Sequence, residues 1–107
     1  MTDAPKIIQR YFDLARGQDR EAYFALFAAD ALVEDEGREH RGIDAIRAWR
    51  AEVPPVTYTI TDVEPAAQGV TVTCTITGDF PGSPFAGLKH HFEEFDEDTI
   101  EVLRIRP

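Results

Sequence analysis

The chain has 107 residues, of which 43% are apolar and 10% aromatic, and it carries twenty acidic against eleven basic side chains for a formal net charge of −9. That length suits one domain, 1–107, with a core of its own. A surface this negative repels phosphate backbones and anionic lipid, which excludes nucleic-acid and membrane partners from the expectation.

The first residues, MTDAPKIIQRYF, contain no apolar signal run, and no stretch is long enough to span a bilayer, so a reduced, cytoplasmic setting is expected. A helix is predicted from about Pro5 to Arg16, with Asp3 as N-cap, Pro5 tolerated in the first turn and Gly17 ending it. Its apolar stripe is Ile7, Ile8, Tyr11, Phe12, Leu14 and Ala15. Asp19 caps a second helix whose buried face is Ala22, Tyr23, Leu26 and Phe27. Ala31 to Asp35 then reads as a short strand, followed by a loop containing His40. A third helix runs from Ile43 to about Glu52, packing through Ile43, Ile46 and Trp49, and Pro54-Pro55 forbids its continuation.

From Val56 the apolar period changes to two. Val56, Tyr58 and Ile60 alternate with threonines, and Val70, Val72, Cys74 and Ile76 do the same after the EPAAQG hairpin loop. Two adjacent strands thus share an apolar inner face and an outer face of Thr57, Thr59, Thr61, Thr71, Thr73, Thr75 and Thr77. GDFPGSP is a second turn; strands from about Phe85 to Phe95 and from Thr99 to Arg106 follow, joined by FDED. Helices first and mostly antiparallel strands after them predict an α+β fold.

Chemistry concentrates in ALVEDEG, residues 31–37, where an apolar run meets three carboxylates. Strand alternation places Ala31, Val33 and Asp35 on one face and Leu32 and Glu34 on the other. Both faces carry apolar residues, so alternation alone leaves the inward carboxylate open. Cys74, the only cysteine, excludes an intrachain disulfide and a cysteine-based zinc centre. His90 and His91 are neighbours on a strand and point to opposite faces, so they do not share a metal. With no HExxH, no glycine-rich phosphate loop and no G-x-S-x-G elbow, neither a metal site, nor nucleotide chemistry, nor serine hydrolysis is expected.

YFDLARGQDREAYFALFAADALVEDEG followed by RGIDAIRAW resembles the nuclear transport factor 2-like superfamily, in particular ketosteroid isomerases and SnoaL-like polyketide cyclases. GDFPGSPF and TIEVLRI are similar to SnoaL-like members as well. The resemblance implies a cone-shaped half-barrel, with three helices packed on a curved sheet and a pocket at one end. In the isomerase a carboxylate at the end of the first strand is the base, a helix-one tyrosine donates to the substrate oxygen and a helix-three aromatic lines the pocket. The matching positions here are Asp35, Tyr11 and Trp49, and Glu34 and Glu36 then read as a solvated flank. The isomerase's second, protonated Asp on a late strand falls on His90 when counted back from Ile100, where Leu88, His90 and Phe92 share a side. It falls on His91 when counted from Phe95. That missing acid argues against 3-oxosteroid isomerisation itself.

The resemblance thus implies a pocket for a small apolar carbonyl compound and, in catalytic members, proton abstraction next to that carbonyl by isomerase, cyclase or lyase chemistry. Asp35 would be the base, Tyr11 and His90 the donors, and Trp49, Phe12, Phe27 and His91 the wall. A base held near the carbon, donors at the developing enolate oxygen and walls that exclude water are what such a step needs. No cofactor is required. The alternatives are a non-catalytic small-molecule binding module and a dimeric interaction protein, with a homodimer formed through the threonine face.

Overall fold

A computed structural model describes residues 4–17 and 19–107. Helix α1 spans Lys6–Ala15 and buries Ile7, Ile8, Tyr11 and Phe12, the stripe read from the sequence. Pro5 stands just before it as N-cap, and its carbonyl accepts from Ile8 N and Gln9 N at 3.0 Å each; the expected cap Asp3 lies outside the described residues. Helix α2, Arg20–Phe24, starts at Asp19, whose side chain accepts from Ala22 N at 3.0 Å.

Here the chain departs from the expected second helix. Leu26 and Phe27 are buried, but they lead into strand β1, Phe27–Asp35, four residues before the predicted strand. Ile100 N donates to Leu26 O at 2.7 Å, and Phe27 is registered with Ile100 on the last strand. Such a short apolar run fits either period locally, and a distant strand decides it. Glu36 (φ 54°) and Gly37 (φ 76°) then form a two-residue turn with both φ angles positive, the hairpin geometry that follows strand twist. It folds Arg38–Arg41 back as strand β2, with Arg38 opposite Asp35. His40 therefore sits on a strand, not in a loop; its polar four-residue segment carries no alternation to announce this.

Helix α3, Ile43–Glu52, has the predicted bounds and buries Ile46 and Trp49. Val53 is already extended before Pro54, as a residue preceding proline prefers. Strands β3 (Val56–Pro65), β4 (Val70–Gly78), β5 (Phe85–Phe95) and β6 (Ile100–Arg106) complete the chain. In the turn before β6, Asp96 Oδ1 accepts from the backbone of Asp98 and Thr99 at 2.8 Å.

The six strands form one mixed, open sheet in the order β2-β1-β6-β5-β4-β3. β1 and β6 run parallel, and the other four pairings are antiparallel. The α+β class thus follows from three helices and one six-stranded sheet. One face is apolar: Val33, Leu103 and Phe92 stand side by side across β1, β6 and β5 and are fully buried. Tyr11 and Phe12 of α1 place their rings 5.3 and 6.0 Å from that of Phe92. The other face carries the threonines, with Thr57 opposite Thr77 and Thr59 opposite Thr75. A register shift between Ile60 and Asp62 hands this face on to Asp62 and Glu64, opposite Thr73 and Thr71.

Gly69 (φ 78°) closes the β3–β4 hairpin, and a Cβ there would overlap the backbone carbonyl of Phe92. Gly82 (φ 89°) has open space around it. Gly69→Ala is expected to cost about 3 kcal/mol or more in urea unfolding, and Gly82→Ala about 1 kcal/mol from the backbone alone. Equal costs would show that the close approach to β5 carries no weight.

Candidate functional site

The sheet register brings two titratable side chains onto one row. Asp35 is opposite Ile105 on β6, and Ile105 is opposite His90 on β5. Asp35 shares its face with Val33, so its carboxyl turns to the side of the helices. Two strand spacings, roughly 10 Å, separate the Asp35 and His90 backbones, with Ile105 between them. All three residues line one cavity of about 760 Å³. Its apolar wall includes Val56, Ile76, Phe80, Phe85 and Leu88, and Glu36 and Glu52 stand exposed at its edge. This volume suits a small organic ligand.

Trp49 does more than form wall. Its Nε1–H donates to Asp35 Oδ2 at 3.0 Å, which fixes the carboxylate plane against α3. The His40 ring stacks on Trp49, with centroids 6.0 Å apart and planes 30° from parallel. Asp35 Oδ1 has no donor among the described residues and remains accessible.

Among the described residues, His90 is the one buried side chain that is not aliphatic, Phe, Tyr, Trp or Cys. Burial first, then the nearby Arg50 and His91 charges, push its pKa down to about 3, so the ring is neutral at physiological pH. Its Nδ1 lies 3.7 Å from Cys74 Sγ, whose thiol burial pushes up to about 11. Nε2 has no partner among the described residues and is not sealed from the cavity.

The remaining sequence candidates separate from this constellation. Tyr11 is fully buried and does not line the cavity; its hydroxyl accepts from Tyr23 at 3.2 Å, and burial raises its pKa well above the ordinary phenol value. Phe12 packs edge-on against His90 (5.2 Å between rings), and Phe27 packs on Tyr23 (5.4 Å); neither reaches the cavity. His91 does not line the cavity. Alternation turns it to the threonine face, where its Nδ1 lies 2.9 Å from Thr71 Oγ1. The count back from Ile100 thus gives the inward histidine.

Besides the apolar wall, two hydrogen-bonding residues that the sequence does not single out, Tyr58 and Arg50, line the cavity. Tyr58 stands on the inner face of the alternation, where an aromatic fits a core position equally well. Arg50 carried no sequence signal, since an arginine near a helix end reads as a solvated cation. The guanidinium lies 4.7 Å from the Tyr23 ring and donates to Tyr58 Oη at 3.3 Å and Ala15 O at 3.2 Å.

The acidic flank also differs from the expectation. Glu34 faces the threonine side but is not simply solvated. Arg106 grips it with Nε at 2.8 Å and Nη2 at 3.1 Å, and Arg104 Nη1 adds a bond of 2.8 Å. These bonds, Arg106 first, hold its carboxyl below the usual range. Glu36, in the turn, is exposed.

The buried His90 gives stability a signature. Unfolded imidazole takes up a proton near pH 6.5, whereas folded His90 refuses it until about pH 3. The unfolded state therefore binds more protons in that window, and stability present above pH 6.5 is lost as the pH falls. Between pH 7 and 5 the wild type should lose about 2 kcal/mol more than His90→Gln in urea unfolding. Equal losses would place a charged or solvated ring at position 90.

Comparison with known proteins accounts for this architecture. The SnoaL-like domain matches residues 8–106. A candidate polyketide cyclase from Sinorhizobium meliloti is 33% identical, with a TM-score of 0.86 over 97% of this chain and 96% of that one. A Catenulispora acidiphila protein with a ketosteroid isomerase-like fold, in complex with trimethylamine, is 24% identical (TM-score 0.79; 98% and 87% covered). A Mycobacterium tuberculosis protein in complex with estradiol-17β-hemisuccinate is 17% identical (TM-score 0.75; 95% and 91% covered). These last two are likenesses of fold alone. No curated protein matches the chain. By the match over nearly its whole length, the chain belongs to the SnoaL-like family, within the nuclear transport factor 2-like superfamily.

Proposed function

We propose that the cavity binds a small apolar carbonyl compound and that Asp35 removes a proton from the carbon beside the carbonyl. The observation that carries this reading is the shared row: Asp35 and His90 line one cavity from either side of Ile105. A relative named for polyketide cyclisation supports the reaction class, and a second shares an isomerase-like fold. A steroid ester bound to a third supports a ligand of this size. The cone-shaped curvature implied by family resemblance would open this cavity at one end.

In this reading Oδ1 of Asp35 takes the proton while Trp49 holds Oδ2, so the base is oriented before substrate arrives. The electron pair released at carbon moves onto the carbonyl oxygen. A Cys74 thiol donating to His90 Nδ1 leaves the ring hydrogen on Nε2, facing the cavity as a neutral donor to the enolate oxygen. Asp35 then returns the proton to another carbon, completing an isomerisation, or the enolate carbon attacks a second carbonyl, closing a ring as the alkoxide left on that carbonyl takes the proton back from Asp35. Tyr11 acts here as support behind His90, with ring centroids 5.9 Å apart. No step requires a cofactor.

The test is exchange of the proton beside the carbonyl of a β,γ-unsaturated ketone such as cyclohex-3-enone in D2O, followed by NMR. The wild type should incorporate deuterium about 10²–10⁴-fold faster than Asp35→Asn. Equal rates, with the ketone still bound, would leave a non-catalytic binding protein. The same reading has two copies paired through the flat threonine face, where Thr57 and Thr59 stand opposite Thr77 and Thr75. Sedimentation is expected to give a dimer at micromolar concentration, and a monomer would remove the pairing while leaving the pocket reading intact.

A further inference from the structure

Arg50 is an unusual cation for its position. It is half-buried on the last turn of α3 and lines the cavity, yet no carboxylate lies within 4.0 Å of it among the described residues. Arg47, Arg104 and Arg106 each hold a glutamate, whereas Arg16 and Arg41, which do not line the cavity, donate to main-chain carbonyls. Neutral groups fix Arg50 instead: the Tyr23 ring at 4.7 Å, the Trp49 ring at 5.8 Å, Ala15 O and Tyr58 Oη. Only two of the five N–H groups of a guanidinium are used in these bonds.

The bond to Tyr58 has a second effect. The phenol oxygen accepts from Arg50 Nη1 at 3.3 Å, so its own hydrogen is left to donate. Tyr58 also lines the cavity. A planar fork and a polarised hydroxyl thus stand together on one wall, the combination that recognises an anionic oxygen pair. Partial burial strengthens that attraction, whereas the exposed Glu36 and Glu52 at the cavity edge are screened by water and salt.

We infer that the ligand of this cavity is an acid, an apolar small molecule whose carboxylate is taken by Arg50 and Tyr58. The inference rests on the pocket reading above and adds the ligand's charge to it. Arg50 and Tyr58 give the cavity wall a cationic and hydroxyl pair that an acid's carboxylate can take while its apolar body lies against the apolar wall. An amine would be drawn instead to the lining carboxylates of Asp35, Glu36 and Glu52.

Two fluorescent probes of nearly the same shape test this: anionic 8-anilinonaphthalene-1-sulfonate and uncharged N-phenyl-1-naphthylamine. The wild type should bind the anionic probe about ten-fold more tightly, or better. In Arg50→Gln the two affinities should come within about two-fold, with the uncharged probe still bound as proof of an intact cavity. Should Arg50→Gln lose its fold, Arg50→Lys and Tyr58→Phe carry the test, each reducing the preference without abolishing it. A wild type that does not prefer the anion, or a preference that survives Arg50→Gln, overturns the inference. Failure of both probes to bind would instead count against the pocket reading itself.

Discussion

The site exists because β1 and β6 run side by side in parallel. This pairing ties the early part of the chain to its last strand, from Phe27 beside Ile100 to Asp35 beside Ile105. Parallel strands cannot be joined by a tight turn, so their pairing has to close a long loop. Here the loop contains α3 and the whole β3–β4–β5 meander. The closure sets His90 two strands from Asp35 and faces both toward the helices. Remove the pairing and Asp35 becomes the solvated end of an edge hairpin. The early entry into β1 at Phe27 and the loss of helix at Leu26 are the local signs of the same constraint.

The two faces of the sheet handle charge in opposite ways. On the outer face Glu34, Arg104, Arg106 and Glu93 neutralise one another in a network with contacts of 2.8 to 3.0 Å. That network locks β1, β6 and β5 at the rows beside the site. On the inner face charge is sparse and left unpaired by other charge: Asp35 meets an indole, and Arg50 meets phenols, a carbonyl and aromatic rings. Neutral partners keep both groups in place without cancelling their fields. A cavity built in this way keeps electrostatic work available for a guest.

Much of this was legible in the residues, for identifiable reasons. The α3 bounds follow from two prolines and an apolar triplet, and β3 and β4 from strict alternation. Those are local signals. His90 could be chosen over His91 because alternation ties it to Leu88 and Phe92. What stayed hidden depends on distant partners. Leu26 and Phe27 fit a helical stripe until Ile100 claims them. β2 is polar throughout and is specified by the Glu36-Gly37 turn. Tyr11 matched the family's donor position, but its hydroxyl turns to Tyr23, and Tyr58 takes the cavity wall. No local rule separates a half-buried, cavity-lining Arg50 from an exposed helix-end arginine.

The bond between Trp49 and Asp35 also makes the protein its own instrument. The chain has one tryptophan. Its indole N–H rests on the carboxylate at the centre of the site, and its ring forms part of the cavity wall. Indole emission shifts with local polarity and with the charge near the ring nitrogen. Every photon the indole emits therefore originates beside Asp35, and the tryptophan component of the chain's fluorescence reports on that one carboxylate and whatever lies against it.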